Sequence, residues 1–222
     1  FRIWAQFQFY WFCFPCTQRL ARCDLCILKP ELCHYHKGTC REPEWGDAHC
    51  MIPHIVYLAV TSGVKVGITR KTQMPTRWLD QGASLALPLF EVPTRRISGY
   101  VEDVFRPYID DKTNWRALLK QANPILNLQE TAESLLPKIE KNLNNLKMTF
   151  GDNAMMLLNE AVQTFDYPIL EYPNKIQSLS FDKQALIEGT LLGIKGQYLI
   201  LDSGVLNIRK FTGYEIDWDV SS

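Results

Sequence analysis

Beyond residue 54 the sequence has neither cysteine nor histidine, although it holds 7 of the first and 4 of the second. It has no net charge, with 24 Lys and Arg against 24 Asp and Glu, so no overall field draws it to nucleic acid or to a membrane. No apolar run approaches the roughly eighteen residues that a membrane span needs. The aromatic opening, Phe1 to Phe14, is interrupted by Arg2, Gln6 and Gln8 and lacks a small-residue cleavage site, which argues against a signal peptide. P-loop and Rossmann glycine patterns, a Ser/His/Asp arrangement, internal repeats and low-complexity tracts are all missing, so those nucleotide-binding and hydrolase classes find no support. The chain opens on Phe1 with no initiator Met, as a segment of a longer protein would.

What is present describes a globular protein. At 222 residues, 46% hydrophobic and 22% charged, the chain suits one large domain or two to three small ones and not disorder. The charge is uneven. Residues 1–53 carry 6 Lys and Arg against 5 Asp and Glu, residues 54–120 carry 10 against 6, and residues 121–222 carry 8 against 13. A basic middle and an acidic tail leave room for a local basic surface.

Cys13, Cys16, Cys23, Cys26, Cys33, Cys40 and Cys50 lie within one short stretch, and His34, His36, His49 and His54 overlap its end. Two C-x2-C pairs, Cys13/Cys16 and Cys23/Cys26, have the spacing that presents two thiolates to one tetrahedral ion. An odd cysteine count does not complete a disulfide framework, and histidines would add nothing to one. The segment therefore reads as a structural zinc module in a reducing, cytoplasmic setting, with a disulfide-stapled knot as the alternative. Several groupings stay open. Cys23 and Cys26 can close a site with Cys33 and Cys40, with His34, His36 or Cys50 as substitutes. Cys13 and Cys16 then need other partners, or the two pairs share one ion.

From His54 the pattern changes. Ile55 to Val60 is an apolar β-rich run, Thr61 to Gly63 a turn, and Val64 to Thr69 an alternating strand, so the pair predicts a hairpin. Thr76 is placed to cap a short helix through Gln81, and Gly82 lies near its end. Leu85 to Val92 predicts a third strand, interrupted by Pro88. Thr94 is placed to cap a helix from Arg95 to about Arg106, with Ile97, Val101, Val104, Phe105 and Tyr108 as its buried face and Pro107 limiting its end. A polar turn from Asp111 to Arg116 leads into another helix.

This hairpin and helix resemble the GIY-YIG nuclease superfamily. Ile55-Val56-Tyr57 stands at the first name-giving triplet and Lys65-Val66-Gly67 at the second. The family's helix arginine matches Arg77, its metal-binding glutamate Glu102, and an asparagine after that Asn114. The departures are Ile55 for glycine, Lys65 for tyrosine, and Gln81 where a histidine often stands. Taken with the cysteine module, the chain also resembles an uncharacterised prokaryotic family over about residues 13–120. The superfamily resemblance implies DNA or RNA as partner and a Mg²⁺-dependent endonuclease. Arg77 would hold a phosphoryl oxygen, Glu102 a Mg²⁺, Tyr57 a water, and Lys65 would add positive charge. Arg70, Arg77 and Arg95 would contact phosphates. A structural origin is open for each: Tyr57 as a core tyrosine, Arg77 in an ion pair with Asp80 or Glu102, Glu102 on a solvated face, Trp78 and Trp115 as packing.

Leu135, Leu136, Ile139, Leu143 and Leu146 predict a packing helix, and Ala154 to Phe165 a further one after a break at Gly151 to Asn153. Glu188 to Leu192, Gln197 to Leu201 and Val205 to Ile208 predict strands. The expected fold is α+β: a zinc module (residues 1–53), a GIY-YIG-like ββαβα domain (54–121), a helical segment (122–166) and a small antiparallel β-meander or barrel (167–222). The competing function is a noncatalytic scaffold that docks on RNA, a ribonucleoprotein or another protein.

Overall fold

Short turns dominate the N-terminal segment, where prolines, glycines and thiols leave little for regular elements to bury. The computed structural model describes residues 4–7, 10–109, 113–120, 126–173 and 176–219, with backbone alone for 4–7, 10 and 11. Asp111 and Lys112, at the head of the expected polar turn, lie outside the described residues. Strands β1 (Trp4–Phe7) and β2 (Tyr10–Cys13) pair antiparallel and lead into helix α1 (Phe14–Arg19). Four 3-10 turns follow, at Ala21–Cys23, Leu25–Ile27, Pro30–Leu32 and Tyr35–Lys37, and then helix α2 (Pro43–His49). The apolar clusters found among the described residues take no member before Ile55. Polar ties hold the segment instead. Arg41 donates to the Thr17 carbonyl at 2.8 Å and pairs with Asp24 at 2.7 Å, while Glu42 accepts from the Ala21 N–H at 2.6 Å.

The central sheet follows. Strands β3 (His54–Val60) and β4 (Val64–Arg70) form the expected hairpin. Helix α3 (Thr76–Asp80) leads to β5 (Leu85–Val92), on the other side of β3. Thr76 is the first helical residue and makes no capping bond. A bulge absorbs Pro88: Val56 pairs with Phe90 but Tyr57 with Pro88. Helix α4 (Arg95–Phe105) starts where expected, Thr94 accepting from the Ile97 N–H. Its buried face omits Tyr108, which is 47% exposed because the helix stops before Pro107. Asn114 caps helix α5 (Trp115–Leu118), and the 23-residue helix α6 (Leu128–Phe150) buries Leu135, Ile139 and Leu143.

Residues 154–165 do not form the expected helix. Strands β6 (Met156–Leu157) and β7 (Gln163–Thr164) pair with the outer edge of β5 at Phe90–Glu91 and Leu85–Ala86. An open edge of unpaired backbone groups recruits them, and Pro88, which has no N–H to offer, falls between the two pairings. Strand β3 thus lies inside the order β4-β3-β5-β6. Val56, Leu58 and Val60 pack with α4 and α6, so α6 shares the sheet's main core; Ile55, Tyr57 and Ala59 pack with Trp78, Ala83 and Ala86 on the other face.

The C-terminal sheet has the order β8-β11-β10-β9, from β8 (Ser178–Leu179), β9 (Leu191–Lys195), β10 (Tyr198–Leu201) and β11 (Gly204–Asn207). It is an open meander with one parallel pair, β8 on β11, and no barrel closes. The expected strand at Glu188 to Leu192 runs instead from Leu191 to Lys195, and Gly193 stands inside it. That glycine marks a close approach, with Ile169 Cα 2.9 Å from where its Cβ would stand. Gly196 makes the turn at φ 58 and rests against the backbone of Asp80 and Gly82. No helix among the described residues is long and apolar enough to cross a membrane.

His54 heads β3 with no exposure, its Nδ1 2.7 Å from the Ile52 carbonyl oxygen. Burial holds its pKa down at about 4, with the Arg95 and Arg70 charges adding to the effect. The folded ring stays neutral over a range in which an unfolded histidine takes up a proton. This contribution to stability is therefore complete above about pH 6.5 and falls by on the order of 3 kcal/mol as pH drops towards 4. Denaturant unfolding of the parent and His54→Leu across this range should show a shallower pH slope in the variant; equal slopes would exclude His54 as the source.

Candidate functional site

Two groups of chemistry-bearing side chains meet across α4. The first is in the N-terminal segment. Asp24, Cys26 and His34 present one donor atom each within 4.8 Å of one another, a group able to hold a metal ion. These three also line a cavity of about 10 Å³, together with Cys33, Cys40 and Cys50. That volume is about the size of one water or ion. Four of the seven cysteines thus share one cavity wall, while Cys13, Cys16, Cys23 and His36 are not part of it. The Cys13 and Cys16 thiols lie near enough to perturb each other, lowering Cys13 and raising Cys16, and the Cys23 charge acts on Cys16.

The local fold explains this grouping. Asp24 accepts from the Cys26 N–H at 3.1 Å and caps the turn that presents Cys26. Gly46 lets α2 close on the Tyr35 ring and Cys40: a Cβ there would stand 2.9 Å from the ring and 3.4 Å from the Cys40 sulfur. The neighbouring Cys26 thiol holds the Cys33 thiol down, while Cys33 and burial push Cys26 up. Burial raises the Cys50 thiol to about 11. Sequence reasoning missed Asp24 and Arg41. The signal for Asp24 was its place between two cysteines with ligand spacing.

Helix α4 carries the junction. Arg95 donates to the Ile27 carbonyl at 2.6 Å through its guanidinium, and to the Cys50 carbonyl at 2.8 Å through its backbone N–H. Its side chain is thereby committed to holding the segment. Gly99 allows contact with the turn at Pro30, whose Cβ would lie 2.7 Å from a Cβ at residue 99.

The second group surrounds Tyr57. Its ring lies over Gly67 on the neighbouring strand, and a Cβ at residue 67 would stand 2.7 Å from the tyrosine hydroxyl. The hydroxyl donates to Gln81 Oε1 at 3.1 Å. Burial raises the phenol to about 12, against the Arg77 guanidinium, which bonds to it and pulls it down, while the Glu102 charge adds to the rise. Tyr57, Arg77 and Gln81 are therefore in contact, with Glu102 near enough to act through its charge. Lys65, 6% exposed, alternates with Gly67 and so shares its face of β4. Tyr57 itself has no exposure. The Glu102 side chain is 13% exposed and lies 3.8 Å from Arg106, one helical turn on. Arg70, at the end of β4, is half-buried. Asn114 is occupied in capping α5.

A family model described as a protein of unknown function (DUF2797) matches residues 6–216, and the chain belongs to that family. No curated protein and no solved structure matches it.

The Tyr57–Gly67 contact should be intolerant of a single methyl group. Gly67→Ala should cost about 1–3 kcal/mol by overpacking, whereas Gly63→Ala, in open space, lacks that steric penalty. Urea unfolding of the two variants compares them, and equal stabilities would mean that Tyr57 does not lie on residue 67.

Proposed function

We propose that this member of the DUF2797 family is a zinc-containing nucleic-acid-binding protein of GIY-YIG type. In this reading the Tyr57 cluster engages a phosphodiester and hydrolyses it with Mg²⁺. One observation carries the reading: Arg77, Gln81 and Glu102 all act on a tyrosine hydroxyl held over Gly67. These are the positions that the superfamily resemblance singles out, and they come from β3, from α3 with its C-cap, and from α4.

The chemistry is consistent with these residues. Arg77 offers a planar fork to a nonbridging phosphoryl oxygen. Glu102 is the carboxylate suited to Mg²⁺, which often needs only one or two; when bound, the ion neutralises developing charge and acidifies a water. Tyr57 remains protonated at neutral pH, so its part is to orient by hydrogen bonding. Arg70 and Arg77 contact the phosphate backbone, and Arg95 supports them by holding the N-terminal segment on α4. Zinc suits that segment because soft thiolates select it and because its folding has little apolar burial to draw on. Free thiols fit a cytoplasmic protein.

The burial of Tyr57 and the Glu102–Arg106 pair favour a second reading. A noncatalytic scaffold could keep this network as structure and dock on RNA, a ribonucleoprotein or another protein.

The test incubates the chain and Glu102→Ala with single- and double-stranded DNA and RNA, with Mg²⁺ or Mn²⁺. Hydrolysis at this site predicts cleavage by the parent, a loss of roughly a hundredfold or more in the variant, and retained binding. Binding without cleavage by either protein selects the scaffold reading. Absence of binding to every nucleic acid rejects the proposal.

A further inference from the structure

We propose that Asp24, Cys26 and His34 hold one zinc ion as an open three-ligand centre, with water in the fourth position. The inference rests on the zinc reading above and names its ligands. A carboxylate oxygen, a thiol sulfur and a ring nitrogen stand here within 4.8 Å of one another. These are the three donor types that zinc takes. All three residues line the ion-sized cavity described above.

The spacing inside the group fits a shared metal better than a direct pair. His34 Nε2 stands 3.4 Å from Asp24 Oδ2. A charge-assisted N–H···O bond closes to about 2.7–2.9 Å. Two ligands bound at about 2.0–2.2 Å to a tetrahedral zinc stand about 3.3–3.6 Å apart. The tautomer agrees. Thr39 gives its hydroxyl hydrogen to the His34 carbonyl at 3.3 Å, so its oxygen accepts from Nδ1–H at 2.8 Å. Nε2 is then left with a lone pair that faces a carboxylate, and a cation between the two satisfies both.

The surrounding contacts hold the donors in place. Thr39 fixes the His34 ring. The Cys26 N–H donates to Asp24 Oδ1 at 3.1 Å, and Arg41 Nε meets Oδ2 at 2.7 Å. Each carboxylate oxygen keeps a second lone pair, so these bonds leave Asp24 able to bind. Arg41 is itself anchored on the Thr17 carbonyl. Metal-bound histidines and carboxylates are held by partners of this kind. No fourth cysteine, histidine or carboxylate among the described residues joins the three at that spacing. The fourth position therefore falls to water, as in zinc sites with three protein ligands. An ion held there ties the turn that carries Cys26 to the one that follows His34.

The experiment uses the full chain with Cys13, Cys16 and Cys23 all changed to Ser, which removes the thiols outside the cavity. Zinc is counted by elemental analysis, and X-ray absorption reads its ligand shell. The expected result is one equivalent of zinc with one sulfur scatterer at about 2.3 Å and nitrogen or oxygen scatterers at about 2.0–2.2 Å. Added singly, His34→Gln should remove the imidazole scattering and Cys26→Ser the sulfur, while Cys50→Ser should leave the shell unchanged. Thr39→Val keeps all three ligands and should weaken zinc binding by roughly ten- to a hundredfold in a chelator competition. Two or more sulfur scatterers, or a shell unchanged by His34→Gln, would overturn the assignment. So would loss of zinc from the triple variant while the parent retains it. A parent chain with no zinc at all would reject the zinc reading itself.

Discussion

Strand β3 has α4 and α6 packed on one face and Trp78 with Ala83 and Ala86 on the other, and the Tyr57 cluster is arranged around it. A strand buried on both sides reads as a continuous apolar run, as Ile55 to Val60 does. Its one polar side chain in that run is Tyr57, whose hydroxyl must find partners inside the protein. Gly67 leaves the ring space on β4, and Gln81 and Arg77 reach the hydroxyl from the α3 region. The conformation that satisfies a buried phenol is therefore the same one that gathers an arginine and an amide, with the Glu102 carboxylate of α4 near enough for its charge to act.

Helix α4 connects this cluster to the thiol-lined cavity. One of its faces buries Ile97, Val101 and Phe105 against the sheet, another carries Glu102, and its first turn receives the N-terminal segment through Arg95 and Gly99. That segment contributes to no apolar cluster described above, so charge-assisted bonds such as Arg41–Asp24 order it.

The sequence made the central domain legible because its signals are local. The hairpin follows from alternation around Thr61 to Gly63, and α4 from Thr94 and an apolar face at helical spacing. Long-range demands were not legible. Residues 156–164 became strands because β5 had an open edge, and Gly193 sat inside a strand because Ile169 approaches it. Neither fact is contained in the nearby sequence. The cysteines pointed to a segment able to hold a metal, but not to which donors meet: Cys23 and Cys26 fall on successive 3-10 turns, and only the folded chain brings Asp24, Cys26 and His34 together. Arg95 read as a surface phosphate contact because a double arginine at a helix start gives no sign that Ile27 will come to meet it.

The most direct measurement is photocrosslinking of the chain to an oligonucleotide that carries thio-substituted bases, followed by mass mapping of the adducts. Phosphodiester engagement at the Tyr57 cluster predicts adducts concentrated on the segment from Arg70 to Gln81 and on the exposed side of α4 near Glu102. Salt should weaken them together, since phosphate contacts drive the binding. Adducts confined to the C-terminal sheet, or none at all under conditions of saturable binding, would contradict it and leave the cluster a structural network.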